Sequence, residues 1–275
     1  MKTYCNPLDL GYRYQHMKEG ERIAGFREGA DPTLVYFKGK YYLFVSMSAG
    51  FWYSDDLLHW KHAKINLSKD YPKHFGDAYW VWAPQTIYDR KAKKYMIYFT
   101  LQRNDRKSLI TYYAYANKDF TGFESEPKQL FSAKYGSIDN DIIEKDGTYH
   151  LFYKGNTKDE NGKEIKNGIQ QATSKSLKGK WKEDFKYLDA YAGKTPVEGS
   201  SIFKLNGKDE YVLMYDMYTS GRYEYQTSTD LYHFSEPKAF TKDFFPRHGS
   251  VISLTRDELQ RLQEKWGYVV RYEFE

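Results

Sequence analysis

Short apolar runs return along this chain in pairs, each pair split by a polar turn. Thr33–Phe37 turns at Lys38-Gly39-Lys40 into Tyr41–Ser46, and a run ending at Tyr88 turns through Asp89–Lys94 into Tyr95–Thr100. A run ending at Ile143 turns at Lys145-Asp146-Gly147 into Thr148–Tyr153, and one ending at Phe203 turns at Asn206-Gly207-Lys208 into Glu210–Tyr215. Asp-Gly and Asn-Gly between apolar runs signal hairpins, because these residues tolerate a positive φ. A second element follows each pair: Ser54–Trp60, Ala116–Phe123, Thr173–Trp181 and Thr227–Phe234. Each predicts the end of a third strand, a polar turn, and a large aromatic that anchors a fourth.

Four-strand units recurring about every fifty residues predict an all-β fold, a β-propeller with four-stranded antiparallel blades around a central channel. Five unit starts predict five blades. The last has little chain left, with Thr255–Lys265 reading as a short helix and Tyr268–Phe274 as a final strand. Part of Met1–Ala30 is expected to complete that blade and close the ring. Asn156–Asn167, rich in charge and glycine, reads as a mobile surface loop. No linker breaks the pattern, so residues 1–275 read as one domain.

Composition supports this picture. Aromatic residues make up 19% of the chain, and rings favour pleated, half-buried surfaces. The net charge of +5 is mild for this length, and the lysines scatter through turns such as Lys91–Lys94 and Lys178-Gly179-Lys180. A nucleic-acid binder concentrates its basic residues on one face, so that class is set aside. The single cysteine, Cys5, excludes an internal disulfide and a cysteine-based metal site. No apolar run approaches the ~20 residues of a membrane span. The first residues lack the apolar stretch of a signal peptide, which implies a cytoplasmic protein, or a periplasmic or secreted one whose leader has been removed. A monomer is expected.

The candidate chemistry sits at the start of each unit. The copies read Ala30-Asp31-Pro32-Thr33, Trp82-Ala83-Pro84-Gln85, Ile138-Asp139-Asn140-Asp141, Val197-Glu198-Gly199-Ser200-Ser201 and Arg247-His248-Gly249-Ser250. Stacked in register, the second slot holds Asp31, Ala83, Asp139, Glu198 and His248. The innermost strands of a propeller surround its channel, so these slots should converge at one mouth. Carboxylates held together in a partly dry cleft drive their pKa values apart, leaving one as a base and another as an acid. Glycoside hydrolysis needs that division.

With these five motifs in order, from Asn6-Pro7-Leu8 to Arg247-His248-Gly249, the chain resembles glycoside hydrolase family 43, the five-bladed arabinofuranosidases and xylosidases. The resemblance implies an inverting mechanism, with Asp31 as the base that activates water, Glu198 as the acid, and Asp139 raising the pKa of the acid and orienting it. Inversion implies base and acid carboxyls ~6.5–9.5 Å apart. His248 matches the histidine of the family's central channel, which in some members lies near a calcium ion or a water cluster. No cofactor is required by the implied chemistry. Gln85 departs from the acid that many relatives carry after Trp-Ala-Pro.

Each assignment has a plainer competitor. Asp31-Pro32 is also a common turn opener, and Glu198 lies in a Pro196–Gly199 turn. Asp141 shares a strand face with Asp139 but falls in the slot of Thr33, Gln85, Ser200 and Ser250, which suits a structural role. His248 fits a buried, hydrogen-bonded histidine as well as a metal-linked one. For the pocket walls, Trp82 adjoins its slot and could stack on a sugar ring, Phe51-Trp52 and Trp80 are further candidates, and Arg222 could donate to sugar hydroxyls. Lys154 and Asp216 end inner hairpins and are weaker candidates.

The reading is a glycosidase releasing terminal pentose, α-L-arabinofuranose first, from plant-type polysaccharides or oligosaccharides. A β-xylosidase or exo-galactan hydrolase on the same scaffold is the nearest alternative. The five-bladed fructosidase and levansucrase group is disfavoured, since its Asn-Asp-Pro and Glu-Cys signatures are replaced by Ala-Asp-Pro and Glu-Gly. A non-catalytic carbohydrate-binding propeller would keep the aromatic walls but would not require all three acids.

Overall fold

The computed structural model describes residues 30–47, 50–64, 70–71, 80–102, 109–189, 194–240 and 247–267. Among these residues sixteen strands form four antiparallel sheets, each a blade whose strands lie in chain order. Blade 1 holds β1 (Thr33–Phe37), β2 (Lys40–Phe44), β3 (Gly50–Ser54) and β4 (Lys61–Lys64); blade 2 holds β5 (Trp80–Asp89), β6 (Lys94–Gln102), β7 (Leu109–Tyr115) and β8 (Lys128–Phe131). Blade 3 holds β9 (Ser137–Lys145), β10 (Thr148–Lys158), β11 (Glu164–Ser174) and β12 (Lys182–Glu183); blade 4 holds β13 (Glu198–Lys204), β14 (Tyr211–Met217), β15 (Arg222–Ser228) and β16 (Lys238–Ala239). The fold is an all-β propeller, with no helix among the described residues long and apolar enough to cross a membrane.

Aromatic and aliphatic side chains weld neighbouring blades. Tyr42, Phe44 and Phe51 of blade 1 meet Val81, Ile97 and Phe99 of blade 2, and Phe152 and Ile169 of blade 3 meet Leu213 and Tyr215 of blade 4. The polar turns after the third strands are built by side chains. In Ser54–His59 the Asp56 carboxylate accepts from the Leu58 and His59 amides at 2.9 and 2.8 Å, and Asp230 repeats this with Tyr232 and His233 at 2.8 Å each. Such Asx turns explain why Ser-x-Asp-Leu recurs.

Two expectations need correction. The described residues form four blades rather than five. The fifth copy, Arg247–Ile252, pairs into no ladder and instead bridges blades 4 and 1: Arg247 bonds Asp216, and Ser250 Oγ accepts from the Leu34 amide at 3.0 Å. The chain then enters helix α1 (Arg256–Trp266), capped by Thr255 and Glu258 in a capping box. Its Leu262 packs with Tyr41 and Leu57 of blade 1. The final strand expected at 268–274 and the N-terminal contribution from 1–29 lie outside the described residues. The expected loop at 156–167 is mostly hairpin, since β10 runs to Lys158 and β11 starts at Glu164. Asp159 closes its turn by accepting from the Asn161 and Lys163 amides at 2.9 Å each. Charge and glycine there mark a tight turn, not an open loop.

Candidate active site

At or near the start of the first strand of each blade lies a residue in the left-handed region. Asp31 has φ 51, Ala83 42, Asp139 57 and Gly199 66, while His248 in the bridging segment has 23. L-residues avoid this region at a cost of about 1–2 kcal/mol, so its recurrence marks a position that the fold imposes. In blades 2 to 4 a bulge accompanies it.

This conformation shifts the sequence register of blade 4 by one. Glu198 pairs with Asp216 as Trp82 pairs with Thr100 and Ile138 with Lys154. Gly199, not Glu198, therefore stands in the slot of Asp31, Asp139 and His248. Contacts between blades agree. Asp141 Oδ2 accepts from the Ile202 amide at 2.8 Å, just as Ser250 Oγ accepts from Leu34, and Ile202 and Leu34 each lie three residues after the left-handed position. The partner of Asp141 in the polar slot is then Ser201 rather than Ser200.

The slot residues form an axial cluster. His248 Nδ1 lies 3.1 Å from Asp31 Oδ1 and 3.9 Å from Asp139 Oδ1. The Ser46 hydroxyl donates to the other Asp31 oxygen and accepts from the Ala83 amide at 2.7 Å. Asp139 Oδ2 accepts from the Gly199 amide at 2.9 Å, and the Ser200 hydroxyl donates to the Asp139 carbonyl at 2.6 Å. Burial raises the Asp31 carboxyl, but the His248 bond and charge, the Ser46 hydroxyl and Arg247 outweigh it, and Asp31 lies below its ordinary value. Asp139 is pushed up to about 6 by burial, against the pull of His248 and with the charges of Asp31 and Glu198 adding to the rise. Burial lowers His248, but the bond to Asp31 and the two carboxylates lift it to about 9. The cluster therefore holds an imidazolium between two acids.

That arrangement bears on the calcium site implied by the resemblance. Ligand atoms of Asp31, Asp139 and His248 lie within 4.8 Å of one another. Calcium takes about six to eight oxygen ligands. Here one oxygen of each acid accepts from Ser46 or Gly199, and the other faces the His248 ring. These residues alone supply only part of the oxygen shell that calcium takes. His248 Nε2 is buried without a hydrogen-bond partner among the described residues, which leaves a donor for a channel water.

Glu198, one residue earlier, belongs to a second cluster. Lys154 Nζ donates to Oε2 at 2.6 Å and Arg247 Nη2 to Oε1 at 2.7 Å. Arg247 Nε also donates to Asp216 at 2.8 Å, a carboxyl that burial raises despite this partner. The Tyr218 ring lies 4.9 Å from Lys154 and 5.8 Å from Arg247.

The remaining candidates divide. Asp141 is buried, bonded to Ile202 and Tyr98, and raised to about 6 chiefly by burial, so it joins blades. Trp82 is half-buried and donates to Gln102 at 3.0 Å. Trp52 is 2% exposed among Leu43 and Val45, and Phe51 is 1% exposed in the core between blades 1 and 2; neither offers a face to a sugar. Arg222 is exposed and paired with buried Glu224 on its own strand. Gln85, in the polar slot, accepts from the Thr33 hydroxyl at 2.5 Å and ties blade 2 to blade 1. Sequence reasoning passed over Arg247, Ser46 and Gly199. Stacking the motifs on Gly199 instead of Glu198 places Arg247 level with Glu198 and exposes the shift.

Residues 36–260 match the family described as "Probable glycosyl hydrolase domain", whose label marks it as related to glycosyl hydrolase family 43. Nothing matches among curated proteins. Three solved structures illustrate the likeness. A thermostable family-43 glycoside hydrolase is 21% identical with a TM-score of 0.60, covering 90% of this chain and 82% of its own. The catalytic domain of the Coprinopsis cinerea GH62 α-L-arabinofuranosidase is 15% identical with a TM-score of 0.55, covering 82% and 74%. The exo-β-1,3-galactanase of Phanerochaete chrysosporium with galactose is 16% identical with a TM-score of 0.57, covering 84% and 52%. At such identities these likenesses bear on the fold.

Proposed function

The chain belongs to the family of glycosyl hydrolase domains related to family 43, and from that premise we propose that it is an inverting glycosidase releasing terminal pentose, α-L-arabinofuranose first, from plant-type polysaccharides or oligosaccharides. The observation that carries this reading is the separation of its acids into two electrostatic settings. Asp31, held below its ordinary carboxyl value, is the base that takes a proton from the attacking water. Glu198, in the cluster with two cations, is the acid that protonates the departing oxygen. Asp139, raised to about 6, sits between them: its carboxylate holds the Gly199 amide next to Glu198 and shares His248 with Asp31. Inversion requires about 6.5–9.5 Å between base and acid carboxyls for the water. The GH62 arabinofuranosidase among the structural neighbours favours arabinofuranose, and the galactanase keeps an exo-acting galactan hydrolase as the alternative.

The test compares nitrophenyl arabinofuranoside, xyloside and galactoside with the matching oligosaccharides. Asp31→Ala should lose about 10³-fold in kcat on both kinds of substrate, within the usual range for a base. Glu198→Ala should lose as much on an oligosaccharide but far less on the nitrophenyl glycoside, whose leaving group needs no proton. Absence of turnover on every glycoside, with sugar binding retained, would instead favour a binding propeller.

A further inference from the structure

Phe185 combines a strained backbone with an open ring. Its φ is 58, a region that bulky L-residues avoid. Leu57, Phe120 and Leu231 take the same region, but each is at most 3% exposed, so packing in the core compensates the strain. Phe185 is 39% exposed. Its backbone is nevertheless fixed, since the Asp184 carboxylate accepts from the Lys186 amide at 3.1 Å and the Thr157 hydroxyl donates to the Phe185 carbonyl at 3.4 Å. The strain holds an apolar ring out toward water, and such strain gathers at ligand sites.

The ring has companions at the mouth end of blade 3. Tyr135 lies just ahead of β9, which carries Asp139, and its ring centroid is 6.3 Å from that of Phe185 at 64°. Lys134 Nζ lies 5.2 Å from the Tyr135 ring and 5.8 Å from the Phe185 ring, and Lys158 Nζ lies 5.6 Å from Tyr135. Ser137 pairs with Gly155, so Lys158 at the end of β10 belongs to this same end of the blade. Both lysines are exposed, and among the described residues neither ammonium has an ion-pair partner. Glu183 of β12 is engaged elsewhere: its oxygens accept from the Tyr153 hydroxyl at 3.1 Å and the Lys134 amide at 3.2 Å. The group reaches from β9 to β12, three strand spacings or about 14 Å.

We propose that Phe185, Tyr135, Lys134 and Lys158 form a binding site for a polysaccharide carrying hexuronate units. The open Phe185 ring takes the apolar face of a pyranose, and the two ammoniums pair with sugar carboxylates. The site lies at the end of blade 3 where Asp139 stands, so a chain held on it continues into the axial cluster. The proposal rests on the glycosidase reading and names the polymer from which the terminal unit is released.

The test measures retardation of the full chain in native gels that contain polygalacturonate or the same polymer with its carboxyls methyl-esterified. The native protein should bind polygalacturonate about tenfold more tightly than the ester, as two exposed ion pairs allow. Lys134→Gln/Lys158→Gln should abolish that preference, and both positions are exposed, so the fold is kept. Lys91→Gln/Lys180→Gln removes the same charge from other exposed turns and should leave the preference in place. Phe185→Asn, which tolerates the left-handed region, should weaken binding to both polymers about fivefold. Equal binding of the two polymers by the native protein, a preference that survives Lys134→Gln/Lys158→Gln, or one lost equally in Lys91→Gln/Lys180→Gln would overturn the site. Binding at native strength by Phe185→Asn would overturn it as well. Absence of turnover on every glycoside with this binding intact would overturn the glycosidase reading instead, so the two failures are distinct.

Discussion

The two acidic clusters lie one residue apart in register and hold their carboxylates against different cations. In the axial cluster Asp31 and Asp139 occupy left-handed positions and converge on a buried, protonated His248. In blade 4 that position is Gly199, and the acid moves one residue earlier onto Lys154 and Arg247 near the solvent. An added Cβ on Gly199 would meet His248 Cβ and Cγ at 3.0 Å and Cα at 3.2 Å. A side chain there would press on the ring, which would have to give by a few tenths of an ångström. A one-residue shift therefore separates an acid held against the buried His248 ring from one held between Lys154 and Arg247.

The comparison can be broken most sharply at Asp139, which bonds the Gly199 amide beside Glu198 and faces His248. Asp139→Ala should lower kcat on oligosaccharides by about 100-fold, within the range for groups that assist proton transfer. A loss below threefold would make the clusters independent. Next comes Gly199→Ala, expected to cost about 2–3 kcal/mol in denaturant unfolding from strained φ and overpacking together. Gly207 shares the left-handed φ, at +74, but has nothing within 4 Å of an added Cβ. Gly207→Ala should cost only about 1 kcal/mol. Equal costs would show that His248 is not packed on Gly199.

The smallest effect is pH dependence. The folded protein raises His248 to about 9, above the ordinary value of about 6.5. Its contribution to stability is thus complete below about pH 6.5 and is lost as pH rises through about 9. Denaturation midpoints of the native protein should fall between pH 7 and 10, and His248→Gln should flatten that slope. Parallel slopes would mean that the axial imidazolium is not formed.

Much of this molecule is written locally. Strands and turns follow from alternation, Asp-Gly and Asn-Gly, and the Ser-x-Asp-Leu turns, because those features depend on neighbours within a few residues. The helix at 256–266 follows from its Thr255–Glu258 box for the same reason. The fifth blade did not follow among the described residues, where Arg247–Ile252 resembles a first strand but leads into the helix at 256–266. Trp52 and Phe51 read as sugar-facing rings only because burial cannot be seen in a residue type.

The sequence by itself determined the four-strand unit, its repetition and the acids near each unit's start, since spacing and residue type carry that information. Only the tertiary structure decided which acids meet. The left-handed φ at Gly199, the His248 ring over it, and Arg247 reaching both Asp216 and Glu198 are contacts between segments 31 to 49 residues apart. Register across blades is set by such contacts, so a single glycine overrode the apparent alignment of Glu198 with Asp31 and Asp139.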